Sequence, residues 1–374
     1  MSDMIVFGED WGRHPSSTQH LMKQLAPTNK IIWVNSLGLR RPKMNRADLD
    51  RLKQKALALF RRRSADNGRF AHPFTELVNP RTLPFPGSKT AALFNRYALK
   101  SQIVPLLSKH RFSQPLIWTS LPTALDVVGH LGERAVIYYA GDDFGALAGV
   151  DHGPVLAMEA RLADKAALII AASPEIAKRF PAGKTRVLSH GVDYELFSKP
   201  RARAAELDQA RPVAGFYGSL NSWIDLDLIA ATARNLPEWY FVLIGKVETD
   251  ISSLKHITNI ILLGPRAHQE LASFSQHWDV SLLPFKQNRQ IDASNPLKLR
   301  EYLAAGKPVL ASYQFPAARE FGEVIHCPHQ DEDFSSALLR AYADGSNAQY
   351  RQSLVKNESW CSKASQLATW LQEL

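Results

Sequence analysis

The chain of 374 residues is long enough for two domains of ordinary size, and 45% hydrophobic with 22% charged residues is typical of a soluble globular protein. No apolar run approaches the roughly 18 residues needed to cross a bilayer, and the start, MSDMIVFGEDWG, lacks the regions of a signal peptide. The two cysteines, Cys327 and Cys361, form no CxxC pattern, so we expect no metal site, no disulfide framework and a cytoplasmic chain.

Positive charge is concentrated in the first third of the chain. The net charge is +9, and residues 1–110 hold 19 Lys and Arg against 7 Asp and Glu. Much of this surplus lies in residues 40–63, where apolar residues recur at helical spacing: Leu49, Leu52, Ala56, Leu57 and Phe60. The pattern predicts a basic amphipathic helix, which either binds an anionic membrane surface or is a solvated surface helix. Aromatic residues do not interleave with the basic ones, so nucleic-acid binding is not expected.

Short apolar runs alternate with helical patterns along the whole chain, which is typical of parallel sheets with crossover helices. In the first half, helices are predicted at 17–25 and 155–163, and strands at 4–8, 31–35, 116–119, 135–140, 167–172 and 185–189. In the second half, strands are predicted at 213–218, 240–245, 260–264, 280–285, 308–312 and 324–327. Polar residues at 194–212 separate the halves, and a helix with two tryptophans is predicted at 358–374. We therefore expect an α/β protein with two sheets, whose ligands bind beyond the carboxyl ends of the strands.

The segment SNPLKLREYLAAGKPVLAS, residues 294–312, predicts a short helix directly after a strand. Ser294 or Asn295 suits its N-cap and Pro296 its first position, and a glycine and a proline end it about three turns later. The amino end of such a helix favours an anion, with phosphate the usual choice, and Lys298 in the first turn adds a positive charge. Glu301, one turn deeper, can accept hydrogen bonds from vicinal hydroxyl groups. The alternative is an ordinary surface pair between Lys298 and Glu301.

Polar residues that follow the strands of the first half are candidates for the second substrate. Arg13 and His14 lie in the loop GEDWGRHPS that begins at Gly8, and Ser120 follows the strand at 116–119. Asp142 and Asp143 follow the strand at 135–140, where a carboxylate can deprotonate an acceptor hydroxyl group, or can simply cap a turn.

The segment NPLKLREYLAAGKPV resembles the donor-binding helix of glycosyltransferases with the two-domain GT-B fold, above all family 4 and the enzymes of exopolysaccharide and teichuronic-acid gene clusters. Five other segments share this resemblance: WGRHPSSTQHL, WVNSLGLRRP, YYAGDDF, SHGVDYELF and GFYGSL. It implies two Rossmann-like domains that face an interdomain cleft, with an acceptor-side domain at 1–195 and a donor-nucleotide domain at 196–355. The final segment, 356–374, is then a helix that returns to the N-terminal domain.

The resemblance further implies a metal-independent, hexosyltransferase-like enzyme that moves a sugar from a nucleoside-diphosphate sugar, of the UDP or GDP type, to an acceptor hydroxyl group. It needs no cofactor, and backbone amides with cationic side chains stabilise the departing diphosphate. The donor-binding candidates are Gly218, Ser219, Lys246, Arg266, Asn295, Pro296, Leu297, Lys298 and Glu301, among which Lys246 and Arg266 are named for their places after strands. The acceptor-side candidates, named for their places after strands, are Gly8, Arg13 and Ser120, and the catalytic candidates are Asp142, Asp143 and His14.

Two positions depart from the family pattern. Family 4 places a second glutamate eight positions before the one that matches Glu301, and this chain has Ala293 there, with Asp292 beside it. The usual Arg and Lys are also missing from GSLNSWID, residues 218–225, so diphosphate binding falls to Lys298 with some of Lys246, Arg266 and Lys286.

The expected partners are a nucleotide sugar, a glycan or lipid-linked acceptor and an anionic membrane surface, with a cytoplasmic location that is peripheral to the membrane. Two other functions remain open. One is a non-catalytic sugar-nucleotide-binding or scaffold protein of a polysaccharide assembly complex, and the other is a GT-B sugar-nucleotide epimerase. A nicotinamide dehydrogenase is disfavoured because no GxGxxG follows the first strand.

Overall fold

The computed structural model describes residues 2–12, 16–39, 71–147, 150–207, 210–344 and 347–374. The chain forms two units, one made of residues 1–189 with 363–374 and the other of residues 190–362. The predicted helix at 40–63 and two predicted site residues, Arg13 and His14, lie outside the described residues.

The first unit contains, in the part of the chain that the structure describes, a parallel sheet of seven strands with the order β3-β2-β1-β4-β5-β6-β7. The strands are β1 (Met4–Phe7), β2 (Ile31–Val34), β3 (Glu76–Val78), β4 (Leu116–Thr119), β5 (Ala135–Ala140), β6 (Leu168–Ala171) and β7 (Thr185–Val187). The helices are α1 (Ser17–Leu25), α2 (Lys89–Lys109), α3 (His152–Lys165) and α4 (Pro174–Ala177), with 3-10 helices at Ala26–Thr28, Pro122–Asp126 and Ala182–Lys184.

The second unit contains, within its described residues, a parallel sheet of six strands with the order β10-β9-β8-β11-β12-β13. The strands are β8 (Val213–Tyr217), β9 (Tyr240–Ile244), β10 (Ile260–Leu263), β11 (Val280–Leu283), β12 (Val309–Ala311) and β13 (Ile325–His326). The helices are α5 (Tyr194–Ser198), α6 (Leu226–Asn235), α7 (Leu271–Ser275), α8 (Arg289–Ala293), α9 (Leu297–Ala304), α10 (Pro316–Arg319), α11 (Phe334–Tyr342) and α12 (Ala348–Val355). Its 3-10 helices are Ser252–Leu254, His268–Glu270, Gly322–Val324 and Lys356–Glu358.

Strand composition explains why the central strands are buried. β1, with the sequence MIVF, and β4, with the sequence LIWT, are buried along their whole length, as is β8 with VAGFY. A strand that is covered on both faces needs apolar residues at every position rather than at alternate ones. Gly215 in β8 admits the indole of Trp278, because a Cβ atom at position 215 would lie 1.6 Å from that ring.

The last helix, α13 (Trp360–Gln372), begins in the second unit, and residues 363–374 belong to the first. Trp360 packs against Gly191, where a Cβ atom would lie 2.7 Å from the indole ring. At the other end of α13, the guanidinium group of Arg186 lies 5.2 Å from the ring centroid of Trp370 and pairs with Glu373 at 2.5 Å. The predicted return of the final helix to the N-terminal domain is confirmed.

The structure corrects the predicted elements at three places. The short strand β3 and the long helix α2 were not predicted, since β3 has only three residues and α2 contains Pro105. Pro296 is the N-cap of α9 rather than its first helical residue, because its ψ of 123° is extended. α9 ends at Ala304 and has eight residues, about two turns rather than three.

The order of the strands reverses once in each sheet, between β1 and β4 in the first unit and between β8 and β11 in the second. At such a point the connections leave the sheet in opposite directions and open a crevice at the carboxyl ends of the two strands. A ligand site is therefore expected near the residues that follow these four strands. Among the described residues, no helix combines the length and the apolar character that crossing a membrane requires.

Candidate functional site

Lys298 and Gly218 meet at the reversal point of the second sheet. Gly218 follows β8 with a φ of +139°, and a Cβ atom there would lie 3.1 Å from Nζ of Lys298. The same ammonium group lies 5.5 Å from the ring centroid of Phe216 and 5.8 Å from that of Phe285. Burial lowers the pKa of Lys298, and the carboxylate of Glu301 opposes this effect. Lys298 is thus held as a half-buried positive charge at the end of β8.

Lys298 belongs to the first turn of α9, whose amino end is open. The N-cap residue Pro296 gives no side-chain cap, and the amide of Leu299 donates to the carbonyl group of Pro296 at 3.2 Å. The amides of Leu297 and Lys298 have no acceptor within the helix. The predicted residues Asn295, Pro296 and Leu297 lie at this end, with Asn295 buried. Amide donors and the ammonium group of Lys298 together form a site for an anion.

Glu301 lies one turn further along α9 and is nearly buried, with a side chain that is 10% exposed. The hydroxyl group of Tyr217 donates to Oε2 of Glu301 at 2.7 Å, and Nε2 of His268 lies 2.8 Å from Oε1. A carboxylate has about four lone-pair positions, so Glu301 can accept further hydrogen bonds from a ligand.

His268 is a member of this cluster that the sequence analysis did not identify. Burial lowers its pKa, but the hydrogen bond and the charge of Glu301, with the charge of Asp193, outweigh burial and raise the pKa overall. A lone histidine at the start of a 3-10 helix gives no recognisable signal in the sequence, because its contact with Glu301 spans 33 positions.

Arg300 anchors α9 from its buried side. Its guanidinium group donates to Oδ1 of Asn295, to Glu358 at 3.3 Å and to Glu320 at 3.4 Å. The side chain of Arg300 is only 2% exposed, so these contacts fix the rotation of the helix about its axis. The other face of α9 then presents Lys298 and Glu301 toward Gly218 and Tyr217.

Lys246 and Arg266, which were also predicted to bind the donor, form ion pairs with residues outside this cluster. Lys246 is exposed and pairs with Glu248 at 2.8 Å, and Arg266 pairs with Glu206 at 3.2 Å. Ser219 and Lys286 are exposed. Exposed ion pairs contribute little, so Lys246 can exchange Glu248 for a ligand at small cost, and so can Arg266, which is 28% exposed, with Glu206.

Asp292, the acidic residue beside Ala293, makes a hydrogen bond within the second unit. Its Oδ1 atom accepts a hydrogen bond from the hydroxyl group of Tyr313 at 3.0 Å, near the end of the short helix α8. This contact orients the loop that leads into α9.

In the first unit, Ser120 and Glu9 meet at the reversal point between β1 and β4. The hydroxyl group of Ser120 donates to Oε1 of Glu9 at 3.3 Å, and that of Ser16 donates to Oε2 at 2.8 Å. Gly8, directly before Glu9, leaves room for Trp33, because a Cβ atom there would lie 2.7 Å from the indole ring. Sequence reasoning included Gly8 and Ser120 but missed Glu9, whose place directly after β1 was its only signal.

Asp142 and Asp143 differ sharply in their surroundings. Asp142 is exposed, yet desolvation of its carboxyl group and the nearby charge of Glu9 raise its pKa to about 6. Asp143 is buried, pairs with Arg179 at 2.9 Å and accepts a hydrogen bond from the amide of Gly145 at 2.9 Å. The capping role that the sequence left open therefore fits Asp143, and the chemistry of a base fits Asp142.

Among the described residues, no group of three or more His, Cys, Asp or Glu side chains is arranged to hold a metal ion. The two described cysteines are both free thiols, and burial raises the pKa of Cys327 to about 11.

Comparison with known proteins bears on the unit that carries Lys298. Residues 211–344, which include β8, α9 and the loops between them, match the family model described as Glycosyl transferases group 1. The similarity to this family therefore lies within the second unit. The predicted relationship to GT-B glycosyltransferases is thereby confirmed.

A curated relative shares sequence with half of the chain. It is the putative teichuronic acid biosynthesis glycosyltransferase TuaH of Bacillus subtilis (strain 168), 31% identical over 205 residues, which are 50% of this chain and 51% of the relative. The aligned part thus spans about half the length of this relative.

Solved structures share the fold of the whole chain. Sucrose-phosphate synthase from Thermosynechococcus elongatus superposes with a TM-score of 0.71 at 15% identity, over 100% of this chain and 99% of that one. Anabaena HepE in complex with UDP and glucose superposes with a TM-score of 0.70 at 16% identity, over all of both chains. At such identities the likeness establishes the fold alone, and the predicted architecture of two Rossmann-like domains is confirmed.

Proposed function

We propose that this protein is a glycosyltransferase that transfers a hexosyl group from a UDP-sugar to a hydroxyl group of a glycan or lipid-linked acceptor. The observation that carries the proposal is the position of Lys298, which is held over Gly218 beside the open amino end of α9. An anion with several oxygens, such as a diphosphate, can contact the ammonium group and the first-turn amides together.

The charge of the departing diphosphate increases as the bond to the sugar breaks. Lys298 and the first-turn amides of α9 are fixed before the reaction, so they stabilise this charge without reorganising. Arg300 keeps them in place through Asn295, Glu320 and Glu358. The proposal assigns the diphosphate to this end of α9 and requires neither a cofactor nor a metal ion.

Glu301 serves as the acceptor for hydroxyl groups of the donor, since Tyr217 and His268 already fix both of its oxygens. A fixed carboxylate binds a pair of vicinal hydroxyl groups with little loss of side-chain entropy.

Asp142 is the residue that we assign as base for the acceptor hydroxyl group, a role that applies to a reaction that inverts the configuration of the sugar. A pKa of about 6 keeps the carboxylate mostly ionised at neutral pH and basic enough to accept a proton. Ser120 and Glu9 lie at the same edge of the sheet and supply hydrogen bonds for the acceptor sugar.

The nature of donor and acceptor is drawn from the relatives. HepE was solved with UDP and with UDP-glucose, which favours UDP over GDP as the nucleotide of this chain. The relative TuaH bears the name of a teichuronic acid biosynthesis enzyme, which favours an acceptor in cell-surface polysaccharide assembly. Such an acceptor would place the enzyme at the cytoplasmic face of the membrane, with residues 40–63 as one candidate for contact.

Isothermal titration calorimetry with UDP, GDP and UDP-glucose tests the proposal. We expect UDP to bind wild-type protein in the presence of EDTA, and Lys298→Ala to weaken binding by about 1.5–3 kcal/mol, as for a hydrogen bond to a charged group. Lys255→Ala removes an exposed lysine of the same unit and should leave the affinity unchanged. Wild-type affinity in both Lys298→Ala and Glu301→Ala would overturn the site.

A non-catalytic sugar-nucleotide-binding protein is the second candidate, and Ala293 in place of the expected glutamate is the observation that favours it. Release of UDP from a UDP-sugar separates the two candidates. An enzyme releases UDP, at least slowly to water, whereas a binding protein retains the intact donor.

A further inference from the structure

The long helix α2 is apolar on two opposite faces. Its buried stripe consists of Ala91, Asn95, Leu99, Ile103 and Leu107, spaced four residues apart. Its outer face carries Leu93 and Tyr97, which are 62% and 75% exposed, with Phe94 and Val104, and Phe85 is exposed just before the helix. These five make up nearly half of the eleven large hydrophobic side chains that are exposed among the described residues. A cluster of this kind is typical of a surface that binds something else.

The exposed apolar residues lie on one side of the helix, where the polar residues Thr90 and Ser101 are also exposed. At about 100° per residue, Leu93, Tyr97 and Val104 fall within an arc of about 40°, and Phe94 widens the strip to about 100°. Lys89 and Lys100 lie along one border of it, about 60–80° from Tyr97 by the same geometry. The strip and its border are hereafter the α2 face, defined by Lys89, Leu93, Phe94, Tyr97, Lys100 and Val104.

Positive charge predominates around the α2 face, and the acidic residues in contact with α2 include Asp126 at Asn95 and Glu76 at Lys109. Residues 77–125 contain six Lys and Arg and no Asp or Glu. Lys109 is neutralised by Glu76 at 2.6 Å, but within the residues that the structure describes Lys89 and Lys100 form no ion pair. An apolar strip bordered by lysines with long flexible stems is the pattern of a helix that lies in the interface of an anionic bilayer.

We propose that the α2 face binds the surface of an anionic phospholipid membrane, with Leu93, Phe94 and Tyr97 inserted at the level of the headgroups and Lys89 and Lys100 paired with lipid phosphates. Other occupants fit the charge less well. A second copy of the α2 face would oppose like charges, and the segment 40–63 is itself strongly basic.

The direction of α2 relates the membrane surface to the acceptor side of the sheet, a relation that rests on the proposed function. Lys109 and His110, at the carboxyl end of α2, contact Glu76 at the start of β3. α2 therefore runs antiparallel to the strands, and its amino end lies toward the edge of the sheet that carries Ser120 and Glu9. A membrane at the α2 face would bring a lipid-linked acceptor toward that edge.

Flotation of the full chain with vesicles tests the proposal. We expect it to float with vesicles of equal parts phosphatidylglycerol and phosphatidylcholine, and not with phosphatidylcholine alone. Leu93→Ser combined with Tyr97→Ser should weaken binding at least tenfold. Lys89→Gln combined with Lys100→Gln should weaken it about 25-fold, at about fivefold for each lysine.

Matched controls lie in other parts of the chain. Leu339→Ser combined with Tyr350→Ser removes two exposed apolar side chains of the second unit, and Lys23→Gln combined with Lys255→Gln removes two exposed lysines. Both should float like wild type. All variants should keep wild-type melting temperatures and UDP affinity, so that loss of membrane binding is separated from misfolding and from failure of the donor site.

Three outcomes would overturn the proposal. The first is wild-type protein that does not float with the anionic vesicles. The second is equal flotation of the wild type and of the double variant that combines Leu93→Ser with Tyr97→Ser. The third is a wild-type dimer in analytical ultracentrifugation that these two substitutions dissociate, because the α2 face would then be covered by a second copy. A variant with Arg61, Arg62 and Arg63 changed to Ala measures the contribution of residues 40–63 to membrane binding. The α2 substitutions should weaken flotation of this variant as they weaken flotation of the wild type.

Discussion

The α-carbon of Gly245 packs directly against the backbone of Gly218, and a Cβ atom at position 245 would lie 2.1 Å from the carbonyl oxygen of Gly218. Both residues follow adjacent strands, β8 and β9, and both have a positive φ, +139° at Gly218 and +149° at Gly245. The close approach sets the position of the turn under Lys298. The two glycines therefore act as one structural unit at the proposed donor site.

Gly245→Ala should displace this turn, because the added methyl group has no space and the backbone conformation disfavours a side chain. We expect a loss of about 1–3 kcal/mol in the free energy of unfolding and at least a tenfold loss of UDP affinity. Chemical denaturation and calorimetry measure the two effects. Gly264→Ala is the matched control at the end of neighbouring β10, since Gly264 has nothing within 4 Å of an added Cβ atom. Equal behaviour of both variants would contradict the assignment.

The ion pair between His268 and Glu301 predicts a dependence of stability on pH. The folded protein raises the pKa of His268, so the pair contributes fully below the unfolded value of about 6.5, and its contribution is lost as the pH rises through the folded value. The melting temperature of wild type should therefore exceed that of His268→Gln most at pH 5.5–6, and the difference should shrink toward pH 8.5.

His277→Gln controls for this measurement. The ring of His277 contacts the backbone carbonyl group of Arg201 at 2.7 Å rather than a carboxylate. The comparison separates the loss of any histidine contact from the loss of a pair with a carboxylate. A difference for His268→Gln that stays constant between pH 5.5 and 8.5 would show that the pair is not formed.

Much of the fold could be predicted because parallel sheets leave a strong local pattern. The strands Leu116–Thr119 and Ala135–Ala140 are where the apolar runs placed them, and the start of α1 at Ser17 follows a serine N-cap. β3 and α2 were missed for local reasons. Three residues are too few for a periodicity, and a helix that is apolar on two faces and contains a proline does not show a single apolar stripe.

The candidate site was only partly predictable. Lys298 and Glu301 lie in one helical turn, so both belong to the single segment that resembles the donor-binding helix of glycosyltransferases. Glu9, Tyr217 and His268 are brought in by contacts over many positions of the chain, such as 84 positions between Tyr217 and Glu301. Spacing along the sequence carries no information about such contacts.

Arg300 offers a test of how α9 is held. Arg300→Met introduces an apolar side chain of similar length and removes the contacts of the guanidinium group with Asn295, Glu320 and Glu358. Because one partner of a buried network is lost, we expect destabilisation of about 3 kcal/mol and weaker UDP binding. Arg319→Met is the control, since Arg319 is exposed and donates only to a backbone carbonyl group. Unchanged UDP affinity in folded Arg300→Met would show that the network does not position Lys298.

The contrast between Asp142 and Asp143 predicts opposite phenotypes for two neighbouring substitutions. Asp143→Asn weakens the buried pair with Arg179, so it should lower the free energy of unfolding by about 3 kcal/mol. Asp142→Asn removes a carboxylate whose raised pKa marks an unfavourable charge in the folded protein, so it should not lower stability at neutral pH, but it should reduce the release of UDP from a UDP-sugar at least a hundredfold, as for loss of a general base. Its affinity for UDP should remain that of wild type.

The pH profile of the wild type gives the sharper test of the same assignment. Asp142 accepts a proton only as a carboxylate, and its pKa is raised to about 6. The rate of UDP release at saturating donor should therefore fall about tenfold for each pH unit below about 6 and level off above about 7. The residual rate of Asp142→Asn should lack this step. If the step survives in Asp142→Asn, the group that titrates is another one, and Glu9→Gln is the next variant to measure because its charge contributes to the raised pKa of Asp142.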